Sequence, residues 1–133
     1  MVGITDKQIY PEDIVHKVKT DNSGCVATYI GLIRNTNHDK PVASVEYIDS
    51  DGTAEDGLKQ IEDEVRQKWP VNNIALVHRL GKLNVGDINL VIAIACGHRQ
   101  EGFAACQYAV DRFKEIMPAK KRETYSDGSV WGS

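Results

Sequence analysis

Apolar positions along this chain recur with two periods, and the periods predict its elements. In "YPEDIVHKVK", Tyr10 to Lys19, the residues Ile14, Val15 and Val18 share one side of a short helix. Pro11 suits its first turn, where a missing N–H leaves no hydrogen bond unmade. "TDNSG" is a turn cluster. "CVATYIGLIRN", Cys25 to Asn35, is rich in β-formers and apolar on both faces, which predicts an inner strand. After the polar loop "NTNHDKP", the stretch "VASVEYID" reads as a second strand, expected to pair antiparallel with the first. "TAEDGLKQIEDEVRQKW" is the clearest helix, with Leu58, Ile61, Val65 and Trp69 on one stripe. Glu55 and Asp56 open it and Arg66 and Lys68 close it, as the helix dipole favours. Thr53 with Asp56 three residues on resembles a capping box, and Trp69-Pro70 is the stop.

"NIALVHRL" predicts a third strand, "NVGD" a turn, and "INLVIAIAC" a central strand buried on both faces. A second long helix is expected from Gln100 to Ile116, with Phe103, Cys106, Val110 and Phe113 buried and Asp111, Arg112, Lys114 and Glu115 outside. Pro118 ends it. "KKRETY" and "SVW" flank the turn "SDG" as two short strand-like pieces. The core order is strand, strand, helix, strand, strand, helix, strand. Two long helices covering one face of a mostly antiparallel sheet make an α+β fold, with a small additional β element near the C-terminus. No repeat or low-complexity linker divides the chain, so one domain over residues 1–133 is expected.

Composition narrows the function classes. No apolar run approaches the ~20 residues a membrane helix needs, and "MVGITDKQIYPEDI" lacks the basic-then-apolar order of a signal peptide, so a cytoplasmic location is expected. A formal net charge of -3 and a pI near 5.8 argue against a general nucleic-acid binder, so any anion site has to be local. Cys25, Cys96 and Cys106 are an odd number without CxxC spacing and sit in apolar runs, where small buried hydrophobes are the better reading. No metal site, phosphate-cradling loop or nucleophile elbow is present on sequence grounds.

Four stretches carry possible chemistry. Arg34 ends "GLIRN", where Gly31 removes a side chain and lets a ligand or backbone approach. His98 and Arg99 in "CGHRQEGF" precede a helix, whose unpaired N–H groups attract anions, phosphate above all. Lys120, Lys121 and Arg122 form a run that is ordinarily a solvated face. On a strand, however, Lys121 faces opposite to its two neighbours, and crowding by Arg34, His98 and Arg99 would lower its proton affinity. In "SDGSVW", backbone N–H groups near Gly128 and Ser129 could serve a ligand, although the dipeptide alone says only hairpin turn.

Taken in order, "GLIRN", "VHRLGKLNVGD", "HRQEGFAAC", "PAKKRE" and "DGSVW" resemble the large, catalytic subunit of molybdopterin synthase, over Gly31 to Trp131. The resemblance implies an α/β hammerhead-type fold. It implies sulfur transfer from a small ubiquitin-like carrier subunit, thiocarboxylated at its C-terminus, to the cyclic pyranopterin monophosphate precursor Z, giving molybdopterin. No cofactor is implied, and the assembly is a homodimer within a heterotetramer. By motif, Leu32, Ile33, Arg34, His98, Arg99, Gly128, Ser129 and Val130 look like substrate-binding residues, and Lys121 is both substrate-binding and catalytic. The family has an aromatic residue before that lysine where this chain has Lys120, which leaves Lys120 as the alternative essential lysine. A non-catalytic pterin- or nucleotide-binding module is the second reading. A ferredoxin-like interaction domain is the third, disfavoured by 7% aromatics and the negative charge.

Overall fold

The most apolar stretch of the chain organises the fold. In the computed structural model, which describes residues 1–132, strand β7 (Ile88–Cys96) lies inside a four-stranded sheet of order β1-β5-β7-β2. The strand pairs antiparallel with β2 (Cys25–Leu32) and β5 (Val71–Arg79), and β1 (Val2–Thr5) pairs parallel with β5. Successive side chains on β7 point to opposite faces. Leu90, Ile92, Ile94 and Cys96 pack with helices α2 (Ala54–Lys68) and α3 (Arg99–Ile116), against Leu58, Ile61, Val65, Ala105 and Ala109. Val91, Ala93 and Ala95 face helix α1 (Pro11–Val18) through Ile14 and Val18. Each aliphatic side chain so buried contributes about 1.5–3 kcal/mol.

The fold is α+β, and the two long helices do cover one face. Three expectations are corrected. The Cys25 strand is an edge strand and not an inner one, because β4 (Lys40–Ile48) leaves it for a second sheet. There β4 pairs antiparallel with β3 (Thr36–Asn37), β6 (Gly81–Asn84) and β8 (Lys120–Tyr125), and β8 pairs with β9 (Val130–Gly132). The C-terminal β element is thus part of a sheet built around β4. Phe103 is 67% exposed, because the buried stripe of α3 runs through Gly102, Ala105, Cys106 and Ala109. Small residues there let the helix lie close to the sheet: a Cβ on Gly102 would come within 3.3 Å of Cys25 Sγ. Finally, Thr53 makes no side-chain cap. The Asp49 carboxylate accepts the N–H groups of Thr53 (3.0 Å) and Ala54 (3.1 Å) instead.

Among the described residues, no helix is long and apolar enough to cross a membrane. A chain reversal places the C-terminal strands. Met117 caps α3 in the left-handed conformation (φ 48°), and Pro118 prevents continuation, so the chain leaves the helix and turns into β8. The two long helices are joined at Glu64, whose carboxylate accepts from Arg112 Nε (2.8 Å), Tyr108 Oη (2.7 Å) and Gln60 Nε2 (3.0 Å). Hydrogen bonds from Arg112 first, then Tyr108 and Gln60, hold its pKa down at about 2. A carboxyl with a depressed folded-state pKa stabilises above its unfolded value, and that stability is lost as pH falls through the folded value. Acid unfolding followed by circular dichroism should therefore show a limb between pH 4.5 and about 2 that flattens in Glu64→Gln. An unchanged limb would remove Glu64 from the clamp.

Candidate active site

Where β2 ends, its register against β7 shifts between Gly31 and Leu32. Ile33 is buried and anchored on both sides: its N–H donates to Asp87 O (3.0 Å), and its carbonyl accepts from Gly86 (2.7 Å). Leu32 and Arg34 therefore point outward, and the Arg34 guanidinium donates to Asn37 Oδ1 at 3.4 Å. Gly31 does permit a close approach, but the approaching group is a side chain of this protein. A Cβ there would lie 2.5 Å from Asn89 Oδ1.

Strand β8 alternates as its sequence predicts. Lys120 and Arg122 are exposed, with Arg122 on Glu46 at 2.6 Å, while Lys121, Glu123 and Tyr125 face inward. Glu123 is 2% exposed and accepts from Lys121 Nζ (2.9 Å), Asn37 Nδ2 (2.8 Å to each oxygen) and Tyr125 Oη (3.0 Å). Burial alone would raise its pKa; the hydrogen bonds from Lys121, Asn37 and Tyr125 outweigh burial and hold it below the usual carboxylate range. Glu123 is thus a carboxylate that holds Lys121 in place. His98 and Arg99, expected from sequence to crowd Lys121, do not line the cleft with it, and Lys121 is ion-paired with the acid Glu123.

Opposite Lys121 on β4 stands Tyr47. Its Oη accepts from Asn89 Nδ2 at 2.9 Å, and its ring lies edge-on to His78, 4.8 Å between centroids. His78 is fully buried, donates from Nδ1 to the Asn89 carbonyl (2.7 Å) and meets Phe113 on its other side (5.0 Å). Desolvation holds its pKa below the ordinary histidine value, so it is neutral.

These groups wall one cleft. Its polar half, about 350 Å³, is lined by Leu32, Ile33, Arg34, Asn37, Lys121 and Glu123. Its apolar half, about 250 Å³, is lined by Leu90, Val110, Phe113, Met117 and Ala119. Tyr29, Tyr47, Asn89, Lys114 and Lys121 border both halves. Lys114, which the helical pattern places among the outer-face charges of α3, is a cleft residue that sequence reasoning missed. The signal for it is the Met117-Pro118 reversal, after which β8 returns so that Lys114 and Lys121 line the same cleft.

His98 and Arg99 lie elsewhere. They line a shallow depression at the start of α3 with Gln100 and Glu101. Cys25 pairs with Cys96 and Leu32 with Ile88, so Arg34 and His98 sit beyond opposite ends of the β2–β7 ladder. At ~3.3 Å per strand residue, this puts them roughly 25 Å apart. Gly128 and Ser129 lie in the β8–β9 turn, and Val130 opens β9 opposite Thr124. The N–H of Gly128 donates to Tyr125 O (3.0 Å) and that of Ser129 to Asp127 Oδ1 (2.8 Å), so neither is free for a ligand. Ser129's hydrogen bonds hold the Asp127 pKa at about 2. No group of three or more His, Cys, Asp or Glu side chains among the described residues is placed to hold a metal ion.

A family model described as MoaE protein matches residues 4–116. The chain belongs to the MoaE protein family. Among its relatives is the molybdopterin synthase catalytic subunit of Nostoc sp., 41% identical over 90% of this chain and 74% of the relative. The human molybdopterin synthase catalytic subunit is 32% identical over 98% of this chain and 70% of its own length. The crystal structure of molybdopterin synthase from Staphylococcus aureus superposes with a TM-score of 0.90 at 32% identity, covering 98% of this chain and 94% of that one. The MoaE-family fold thus extends over nearly the whole chain.

Glu123→Gln tests the electrostatic base of the cleft. It removes the buried charge and keeps the shape, so it should cost about 1–3 kcal/mol in a denaturant titration at pH 7. Because the Glu123 pKa is depressed, the deficit should shrink as pH falls below ~4.3. A deficit that is constant with pH would mean that Glu123 acts through packing alone.

Proposed function

We propose that this chain is the catalytic large subunit of a molybdopterin synthase, acting in molybdenum cofactor biosynthesis. It takes sulfur from a small ubiquitin-like carrier with a C-terminal thiocarboxylate and passes it to a cyclic pyranopterin monophosphate. The observation that carries this is the convergence of Arg34, Lys114 and Lys121, from three separate segments, on one cleft with an apolar half. Both reactants are anions that repel each other. A cleft bringing them together needs fixed cations on its wall and low-dielectric surroundings that strengthen them.

In this reading Arg34 addresses the phosphate end of the substrate, with Leu32 and Ile33 forming the floor beside it. Lys121, held by Glu123, and Lys114 flank the reacting carbon. The thiocarboxylate sulfur attacks a side-chain carbon of the pterin and replaces the oxygen that carbon carries. The C–S bond forms as the C–O bond breaks, the oxygen leaving with the phosphate or, protonated, as water, and the sulfur stays acyl-linked to the carrier. Water then cleaves the acyl–sulfur bond, leaving sulfur on the pterin and a carboxylate on the carrier. A second charged carrier repeats the step to complete the dithiolene. Lys114 and Lys121 stabilise the negative charge that develops on the acyl oxygen.

His98 and Arg99 enter this scheme through the homodimer. Within one chain they are too far from Lys121 to share its substrate, so in this reading they extend the binding surface of the second copy. Gly128, Ser129 and Val130 act by shaping the turn beside Lys40, whose Nζ lies 3.2 Å from Ser129 Oγ. The assembly is a large-subunit homodimer within a heterotetramer, and the location is cytoplasmic.

The test is reconstitution with a thiocarboxylated carrier and the pyranopterin monophosphate, assayed for molybdopterin. Wild type and Lys120→Ala should form product, while Lys114→Ala and Lys121→Ala should each lose at least tenfold in rate. Unfolding is measured alongside, because Lys121→Ala strands the buried Glu123 carboxylate. A mixture of Lys121→Ala and Arg99→Ala chains should regain activity that neither has alone. Full activity of Lys121→Ala, or loss only in Lys120→Ala, would overturn the lysine assignment. Substrate binding without turnover in the wild type would leave a pterin-binding module.

A further inference from the structure

The border between the two halves of the cleft holds a hydroxyl with no part in the sulfur-transfer scheme. Tyr47 is 8% exposed, lines both halves and is the direct cross-strand neighbour of Lys121. Its ring is held by the edge of His78 below it, and its oxygen by Asn89. The direction of that hydrogen bond matters. Asn89 Nδ2 donates to Tyr47 Oη, and Asn89 Oδ1, packed against Gly31, has no partner. The reverse orientation would bury an unused amide N–H2 against Gly31. An under-satisfied carbonyl oxygen is the less costly of the two. An oxygen that receives the Asn89 N–H keeps its own proton for another acceptor.

We propose that Tyr47 is a further substrate-contacting residue, donating its phenolic O–H to a neutral oxygen of the bound heterocycle at the junction of the cationic and apolar halves. The inference rests on the reading of the cleft as a pyranopterin site and adds a donor to it. A ligand with an anionic end and a flat ring lies with the anion toward Arg34 and the ring toward Phe113 and Met117. Its ring-proximal oxygens, the carbonyl or diol type flanking the carbons that receive sulfur, then pass Tyr47. Burial raises the Tyr47 pKa, opposed by the nearby Lys121 charge, so the phenol stays protonated and able to donate at neutral pH. Pre-organisation comes from the two contacts that already fix ring and oxygen, which leave little side-chain entropy to lose on binding. Asn89 is a positioning residue that acts only through Tyr47.

The experiment uses the reconstituted wild type, Tyr47→Phe, Asn89→Ala and the double variant. It reads substrate affinity by titration calorimetry, kcat/KM for molybdopterin formation, carrier affinity and Tm. Tyr47→Phe keeps the ring on His78 and removes only the hydroxyl. It should weaken substrate binding or kcat/KM about 3- to 12-fold, the range for one neutral hydrogen bond. Carrier affinity should stay at the wild-type value, and any fall in Tm should be matched by Asn89→Ala, which removes the same hydrogen bond. Asn89→Ala should lose less, and the double variant no more than Tyr47→Phe alone. An active wild type with an equally active Tyr47→Phe would overturn the proposal. So would a Tyr47→Phe loss that tracks carrier affinity, an equal loss in Asn89→Ala, or fully additive losses in the double variant. A wild type that neither binds nor converts the pyranopterin would overturn the reading of the cleft itself, and the role of Tyr47 with it.

Discussion

One buried carboxylate sets the geometry of the cleft. Glu123 has almost no contact with water, and a lone carboxylate in that position would be several kcal/mol too costly to keep ionised. It is ionised because a lysine, an amide and a phenol all donate to it. Each donor thereby gives up its freedom. Asn37 is pinned, and with it the β3–β4 hairpin; Tyr125 is pinned at the far end of β8; and Lys121 is drawn in with its ammonium group at a defined place. The catalytic proposal for Lys121 is thus inseparable from a structural demand. The same contact that satisfies Glu123 orients the amine.

The second sheet exists for related reasons. β4 is bordered by β6 and β8, and the cluster of Val45, Leu83 and Ala119 closes around it. Its inward positions bring Tyr47 and Val45 opposite Lys121 and Glu123. The first sheet supplies the other wall, through Tyr29 of β2 and Asn89 of β7. The cleft is therefore a seam between two sheets, bridged by the Asn89–Tyr47 hydrogen bond and by His78 wedged between Tyr47 and Phe113. A net negative chain holds a cationic cleft without contradiction. Apart from Glu123, acids of this chain are engaged outside the cleft, as on α2 and in surface pairs such as Arg122 with Glu46.

Local signals in the sequence are legible where short-range physics decides. Helix α2, the β7 strand, the Met117-Pro118 stop and the alternation of Lys120, Lys121 and Arg122 follow from period and punctuation. The ordered motifs point to the molybdopterin synthase catalytic-subunit family, and two of their candidate residues, Arg34 and Lys121, line the same cleft. What the sequence does not reveal depends on partners distant along the chain. An apolar strand reads as inner whether a neighbour covers it or not, so β2 moves from the expected centre to the edge. Phe103 reads as core because it is large, whereas the sheet selects the small residues Gly102 and Ala105 for close packing. Lys114 belongs to the cleft only because the chain reverses three residues later. His98 and Arg99 look like neighbours of Arg34 because a string of motifs carries no distances.

Gly31 and Asn89 face each other across the β2–β7 ladder at close range: the amide oxygen lies 2.5 Å from where any other residue at position 31 would put its first side-chain carbon. The two positions are therefore not free to drift separately over evolutionary time. A side chain at position 31 has to move the Asn89 amide from its place, and in doing so it disturbs the hydrogen bond that this amide gives to the phenol in the cleft. Sequence change at an inconspicuous glycine is in this way coupled to the chemistry of a residue on the other sheet.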